Sequence, residues 1–293
     1  MAILPLQPAF VEGLRRLDLV VQRRGAGANR GERTSARKGQ GIEFADHRGY
    51  VPGDEPRFLD WCAFARTGRP VVKEFLEESD LALTVFVDAS ASMRFGRPSR
   101  LDYAATLASV FCRVAIGRHD RAGLGIVTES GTSFLPPVRG TVQGARIEDR
   151  LGRLEASGAS GVAAALRRHF ATWRPLGVVL VITDLYDPEG PEAVVDCLVH
   201  HGVDASILMI TDDEEGEFVP RGPVEFVDSE SGETLRMLVT PEIRDRLRAG
   251  VHEWRRRAVG CAQDKGVTCL EAEVHRPIES FVAGLAARGR IVR

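Results

Sequence analysis

From about residue 80 the chain alternates between two patterns. Short runs that are apolar at almost every position, "LALTVFV", "AGLGIVT", "VVLVIT", "VDASILMI" and "VTCLEAEV", are separated by stretches whose apolar residues recur at helical spacing. A strand that is apolar on both faces belongs in a parallel sheet covered on both sides, and the amphipathic stretches supply the cover. The clearest helix follows Ser99, a good N-cap, and carries Ala104, Leu107, Ala108, Phe111, Val114 and Ala115 on one stripe. "TSFLPPV" reads as a further strand and "PVEFVDSESGETLRMLV" as a hairpin. Thr240-Pro241 starts a long helix with Ile243, Leu247, Val251 and Trp254 on one face. The pattern predicts an α/β domain over residues 79–293, a doubly wound, mostly parallel sheet whose first strand covers residues 81–87.

Residues 1–78 follow neither pattern and form an N-terminal helical and extended appendage. Phe10, Leu14, Leu17 and Val21 lie near helical spacing, but "RRGAGANRGERTSARKGQG" has no apolar period and reads as an extended loop. Eight basic residues stand against three acids between residues 11 and 40. Such a stretch can bind nucleic acid; without interleaved aromatics it reads instead as a solvated helix face and loop. Over 293 residues the net charge is −2, with 44% hydrophobic and 27% charged residues, which is ordinary for a globular protein and argues for neither a nucleic-acid protein nor a disordered acidic one. No apolar run approaches the roughly 18 residues of a membrane span, so membrane insertion is not expected. "MAILPLQPAF" lacks the basic start of a secretory signal. With Cys62, Cys112, Cys197, Cys261 and Cys269 showing no metal-binding spacing, a cytoplasmic protein with reduced cysteines is expected.

In an open parallel sheet, ligands bind beyond the carboxyl ends of the strands, where strand order reverses. The first apolar strand runs into Asp88-Ala89-Ser90-Ala91-Ser92, a D-x-S-x-S loop; "VVLVIT" runs into Asp184; "SGASG" between them offers Ser157 and Ser160. Carboxylates and hydroxyls on adjoining loops form an all-oxygen set suited to a hard cation such as Mg²⁺. The candidate metal ligands are Asp88, Ser90, Ser92, Ser160 and Asp184. Two carboxylates leave the ion with residual charge and an open position, which favours a carboxylate supplied by a partner and predicts weak binding of the free metal.

These loops resemble the metal-ion-dependent adhesion site of the von Willebrand factor A domain, a Rossmann-type fold. The resemblance assigns Asp88, Ser90 and Ser92 to its first loop, Ser160 to the position of a threonine, and Asp184 to the strand-end carboxylate; Gly161 stands where relatives often have Asp. Upstream, Gly41, Glu43, Phe44, Arg48, Tyr50, Pro52, Gly53, Asp54, Arg57, Asp60, Trp61, Ala65, Arg66 and Lys73 match the pattern G-x-E-F, R-x-Y-x-P-G-D, R-x-x-D-W, A-R. On them the chain resembles a bacterial family called domain of unknown function fifty-eight. The resemblance implies a non-enzymatic adaptor working beside a MoxR-type AAA+ ATPase.

The stretch "RGYVPGDEPRFLDW" has two readings. Arg48, Asp54, Arg57, Asp60 and Arg66 can form an ion-pair brace with Trp61 largely buried; alternatively Tyr50, Trp61 and the arginines anchor a partner. Arg57 and Asp60 are expected i, i+3 on one short helix. "TDDEEGE" (211–217) reads as a solvated acidic loop on the rim. Two other functions compete with the adaptor: a metal-dependent hydrolase using the same ion, against which stands the lack of a general base beside the loops, and nucleic-acid binding through the basic N-terminal loop.

Overall fold

The apolar runs become the centre of a six-stranded sheet, and the stretches between them become its two helical layers. The structure is a computed structural model and describes residues 3–20, 34–39, 43–52, 54–78, 81–174, 177–213 and 220–293. In chain order the elements are α1 (Pro8–Gly13), β1 (Thr34–Gly39), β2 (Glu43–Gly49), α2 (Trp61–Thr67), β3 (Val71–Glu78), β4 (Ala82–Asp88), α3 (Arg100–Gly117), β5 (Arg121–Thr128), β6 (Gly131–Val138), α4 (Thr141–Gly152), α5 (Val162–Thr172), β7 (Val178–Thr183), α6 (Pro191–His200), β8 (Asp204–Thr211), β9 (Gly222–Val227), β10 (Thr234–Val239), α7 (Pro241–Asp264), β11 (Thr268–Glu273) and α8 (Ile278–Ala287).

The chain divides into two compact units. The described residues of Met1–Gln22 belong with Leu81–Arg293, and those of Arg23–Asp80 form the other. The first helix, placed in the appendage by the sequence, thus packs with the larger unit. Leu14 and Leu19 join its core, Leu19 bridges Val292, and Arg118 pairs with Asp18. In the smaller unit β3 lies between β1 and β2 in an antiparallel sheet. Part of the basic stretch read as an extended loop is therefore strand β1; residues 21–33 and 40–42 lie outside the described residues.

In the larger unit the order is β11-β8-β7-β4-β5-β6, all parallel except β6, which runs antiparallel at one edge. Every residue of β4 and β7 is buried, as a strand covered on both faces requires. Side chains alternate between two cores. Val85, Val87, Leu180 and Ile182 face α3, α4 and α8; Phe86, Val179, Val181 and Ile207 face α5, α6 and α7. Helix α3 is buried on nearly all sides rather than along one stripe, because α4 packs on it from outside. Its start is fixed by a capping box: the Ser99 hydroxyl accepts from the Asp102 N–H, and the Asp102 carboxylate accepts from the Ser99 N–H.

From β4 the chain crosses through α3 to β5 on one side, while β7, on the other side of β4, continues through α6 to β8. The two crossovers leave on opposite faces, so a crevice opens at the carboxyl ends of β4 and β7. The hairpin β9–β10 is a separate two-stranded sheet, with Val239 buried at its base and Thr240 capping α7 through the Ile243 N–H.

The central strands approach without slack. A Cβ on Gly125 of β5 would lie 2.3 Å from the ring of Phe86 on β4. Gly125→Ala should cost about 1–3 kcal/mol by overpacking, lowering the melting temperature by several degrees in a thermal scan. Phe86→Leu in the same chain should recover part of that loss, since it removes the ring edge that the new methyl meets.

Candidate functional site

The register of β4 and β7 sets the site. Val87 stands opposite Ile182, so Asp88 ends one strand beside Thr183, and Asp184 follows immediately. Both aspartates are buried. Asp88 accepts from the Ser90 N–H (3.0 Å) and the Thr183 hydroxyl (2.8 Å); Asp184 accepts from the Tyr186 N–H (3.1 Å). Ser90 and Ser92 share a hydroxyl contact of 3.0 Å. The second loop is zipped to the first by two backbone bonds, Ala91 N–H to the Gly158 carbonyl (2.9 Å) and Ser157 N–H to the Ala89 carbonyl (2.9 Å), and by the Arg94 guanidinium, which donates to the Ala156 carbonyl (2.6 Å). Downstream, Ser160 is buried at the lip of α5, whose second amide, Ala163 N–H, is capped by Asp187 (2.8 Å). Asp88, Ser90, Ser92, Ser160 and Asp184 thus occupy two adjacent strand ends and two zipped loops.

Three features of the rim were not read from the sequence. Thr183 ties Asp88 to the neighbouring strand. Arg100, at the first position of α3, is buried and pairs with Asp184 at 3.2 Å, its guanidinium lying over the rings of Phe95 and Tyr186. Glu230, at the tip of the β9–β10 hairpin, accepts from the Ser160 N–H at 2.9 Å. Leu185, buried just after Asp184, sits in the left-handed region at φ 62°, a conformation costly for a branched side chain and found where surroundings impose it.

The electrostatics run against two free carboxylates. Burial first, and the charge of Asp184 second, raise Asp88 from the ordinary carboxyl range to about 7; the Ser90 N–H and Thr183 hydroxyl pull the other way. Glu230 is also raised, first by burial, although the Ser160 N–H and the Ser92 hydroxyl favour its charged form. Among the described residues, the Ser160 hydroxyl oxygen and Glu230 Oε1 are buried without a hydrogen-bond partner. Buried oxygens short of donors, beside carboxylates short of positive charge, fit a hard cation that takes oxygen ligands. No group of three or more His, Cys, Asp or Glu stands at metal-holding distance among the described residues, so such a centre would depend on the hydroxyls.

The smaller unit corrects the reading of "RGYVPGDEPRFLDW". Arg48 does brace Asp54, through two bonds of 2.6 Å, and Asp54 also accepts from the Val51 N–H. Arg57 and Asp60 do not share a helix. Arg57 lies in a 3₁₀ turn, pairs with Glu55 and stacks on Phe58, whereas Asp60 caps α2 through the Cys62 and Ala63 amides and pairs with His47 and Lys73. Arg66 ends α2 with no ion pair among the described residues. Trp61, expected to be largely buried, is 63% exposed: α2, seven residues or about two turns long, buries Ala63 and leaves Trp61 edge-on against Phe64, with Tyr50 also at the surface. On the rim, Asp212 of the acidic stretch is not solvated but fully buried beside His275; residues 214–219 lie outside the described residues.

A doubly wound, mostly parallel sheet with D-x-S-x-S at the end of a central strand and an aspartate just past the end of the adjacent strand is the arrangement expected from the sequence. The chain belongs to the family described as "Protein of unknown function DUF58", whose family model matches residues 46–257. It is 26% identical over 244 residues to uncharacterized proteins of Mycobacterium bovis and Mycobacterium tuberculosis, covering 81% of this chain and 76% of theirs. Among solved structures it is similar to the conserved hypothetical protein BatB from Bacteroides thetaiotaomicron (TM-score 0.44, 13% identity, 71% of this chain and 98% of that one). It is also similar to the SpRpn10 VWA domain (TM-score 0.38, 12% identity, 70% of this chain and 94% of that one). No helix among the described residues is long and apolar enough to cross a membrane.

Arg100 carries the first expected outcome here. Arg100→Met leaves Asp184 buried without its guanidinium and should cost about 3–5 kcal/mol in chemical denaturation. The second concerns Asp54 and Asp60, whose hydrogen bonds to Arg48 and to the Ala63 amide, respectively, hold both near about 2, below their ordinary 3.8. A carboxyl lowered on folding stabilises above its unfolded value and loses that contribution as pH falls through its folded one. Amide exchange at Val51, Cys62 and Ala63 should therefore accelerate, after correction for intrinsic rates, between about pH 4 and pH 2. Asp60→Ala should produce the same acceleration at Cys62 and Ala63 at neutral pH.

Proposed function

We propose that the protein is a non-enzymatic interaction module whose rim, formed by Asp88, Ser90, Ser92, Ser160 and Asp184, engages an acidic side chain of a protein partner through a divalent cation such as Mg²⁺. The observation that carries the reading is the juxtaposition of two buried carboxylates on adjacent strand ends with a buried Ser160 hydroxyl that has no hydrogen-bond partner among the described residues. A bound dication would supply the positive charge that Asp88 lacks and that Arg100 gives Asp184 only in part, and an open position for an outside oxygen. The chain's own residues do the rest. The Thr183 hydroxyl and Ser90 N–H fix the Asp88 carboxylate in orientation, the Tyr186 N–H fixes Asp184, and the zipped loops hold Ser92 and Ser160 on one lip. Ser160 lacks the methyl that fixes a threonine rotamer, which favours weak binding of the free ion, strengthened when a partner adds its carboxylate. The family resemblance favours a MoxR-type AAA+ ATPase as that partner, and a cytoplasmic setting.

A second reading rests on Arg100. Its buried guanidinium already neutralises part of the Asp184 charge, so the rim would be balanced from within and need no metal. The two readings separate on chelation. Asp88→Ala should abolish Mg²⁺-dependent capture of the partner from native extract while leaving the melting temperature within a few degrees, because the lost bonds to Thr183 and Ser90 are offset by removing a buried charge that faces Asp184. If EDTA leaves capture by the parent unchanged, the metal-dependent reading fails and the Arg100 reading stands.

A further inference from the structure

The hairpin β9–β10 is built in a way that folding of the sheet does not require. It forms its own two-stranded sheet, joined to the larger unit through its base, and it exposes Val227, Leu235 and Leu238. Its tip is nonetheless tightly specified. Asp228 accepts from the Glu230 N–H (2.9 Å) and Ser231 N–H (2.7 Å), its own N–H donates to the Glu233 carbonyl, and Gly232 takes φ 73°, which a side chain would resist. This turn lifts Glu230 out of an otherwise exposed loop: residues 228, 229 and 231–234 are exposed, while Glu230 is partly buried.

Glu230 is spent on the rim. Its Oε2 accepts from the Ser160 N–H, the Ser92 hydroxyl favours its ionised form, and the charge of Asp184 is close enough to oppose it. Its Oε1 is buried with no hydrogen-bond partner among the described residues, as is the hydroxyl oxygen of Ser160, the residue whose amide it holds. A carboxylate brought by a preformed turn to a serine-lined lip, with one oxygen left over, is an acidic ligand supplied in cis. A solvated glutamate would gain nothing from this burial, which opposes its charged form.

We propose that Glu230 is an in-chain ligand of the rim: its carboxylate takes the position that an acidic partner would take, and a partner binds by displacing the hairpin tip. This rests on the metal-dependent reading above. It accounts for the chemistry of the tip, since the intramolecular carboxylate is present at high effective concentration and an outside carboxylate must compete with it. The exposed apolar residues of the hairpin then lie on the element that moves when a partner arrives.

The test uses Mn²⁺ alone as probe, on the full chain, with Glu230→Gln, whose amide oxygen still accepts from Ser160, and Glu230→Asp, which keeps the charge but shortens the reach. Calorimetry should show Mn²⁺ binding weakened on the order of tenfold in both variants. Water-proton relaxation per bound Mn²⁺ should rise, because a water enters where Oε1 stood, and acetate should suppress that rise more readily in the variants than in the parent. Hydrogen exchange at the 228–233 tip should slow on Mn²⁺ addition in the parent and not in the variants. Variants that match the parent in affinity, relaxation and tip protection, while Asp88→Ala loses Mn²⁺, would overturn the role of Glu230 and leave the metal reading intact. A parent that binds no Mn²⁺ would overturn both.

Discussion

Two carboxylates end neighbouring parallel strands where water barely reaches, and the register that places Val87 opposite Ile182 leaves neither of them another position. Below them the strands offer apolar side chains and a backbone already engaged in the ladder, so everything that stabilises the pair must come from the rim. It does, piece by piece: a hydroxyl from Thr183, amides from Ser90 and Tyr186, a guanidinium from the start of α3. Each donor is short-range and directional, and they come from three segments: the end of β7 with the turn after it, the loop after β4, and the start of α3. The loops are therefore ordered less by their own sequences than by what they must deliver to Asp88 and Asp184. Even Leu185 accepts an unfavourable backbone so that its amide can reach Thr183 at 3.0 Å.

Much of this was legible in the sequence, and the reason is periodicity. Strands apolar on both faces can occupy little but the middle of a covered sheet, which placed Asp88 and Asp184 at one edge before any coordinates. The D-x-S-x-S spacing and the Ser160 loop followed from asking what comes after each strand. Arg100 was not legible because arginine is rarely buried and its position, just after a good N-cap, is where an exposed polar residue is usual. Its burial is imposed by the crevice between β4 and β7, a property of topology. Glu230 lies seventy residues from Ser160, and its motif gave a turn but no address. Trp61 failed for the opposite reason: its size argued for burial, but a seven-residue helix capped by Asp60 has too little surface to bury it.

The two units handle charge differently. In the smaller one, Arg48–Asp54 and His47–Asp60–Lys73 are at or near the surface, and their value lies in fixing turns and a helix start rather than in bulk stability. In the larger one, the charges at the rim are buried, so each is either compensated or costly. Asp88 is compensated by the Thr183 hydroxyl and the Ser90 amide, Asp184 by Arg100, and Glu230 by the Ser160 amide.

Strand β6 bears on how another molecule can approach. It carries Pro136-Pro137 just before its last residue, Val138, with the Pro137 nitrogen 2.9 Å from where a Cβ on Gly123 would stand. Proline has no amide hydrogen to offer, and a pair of them at a sheet margin interrupts the row of donors that an incoming strand would need. Extension of that flank by another chain's backbone is opposed at this end of the strand. Recognition by strand addition is thereby discouraged there, and an associating protein is directed to read side chains instead.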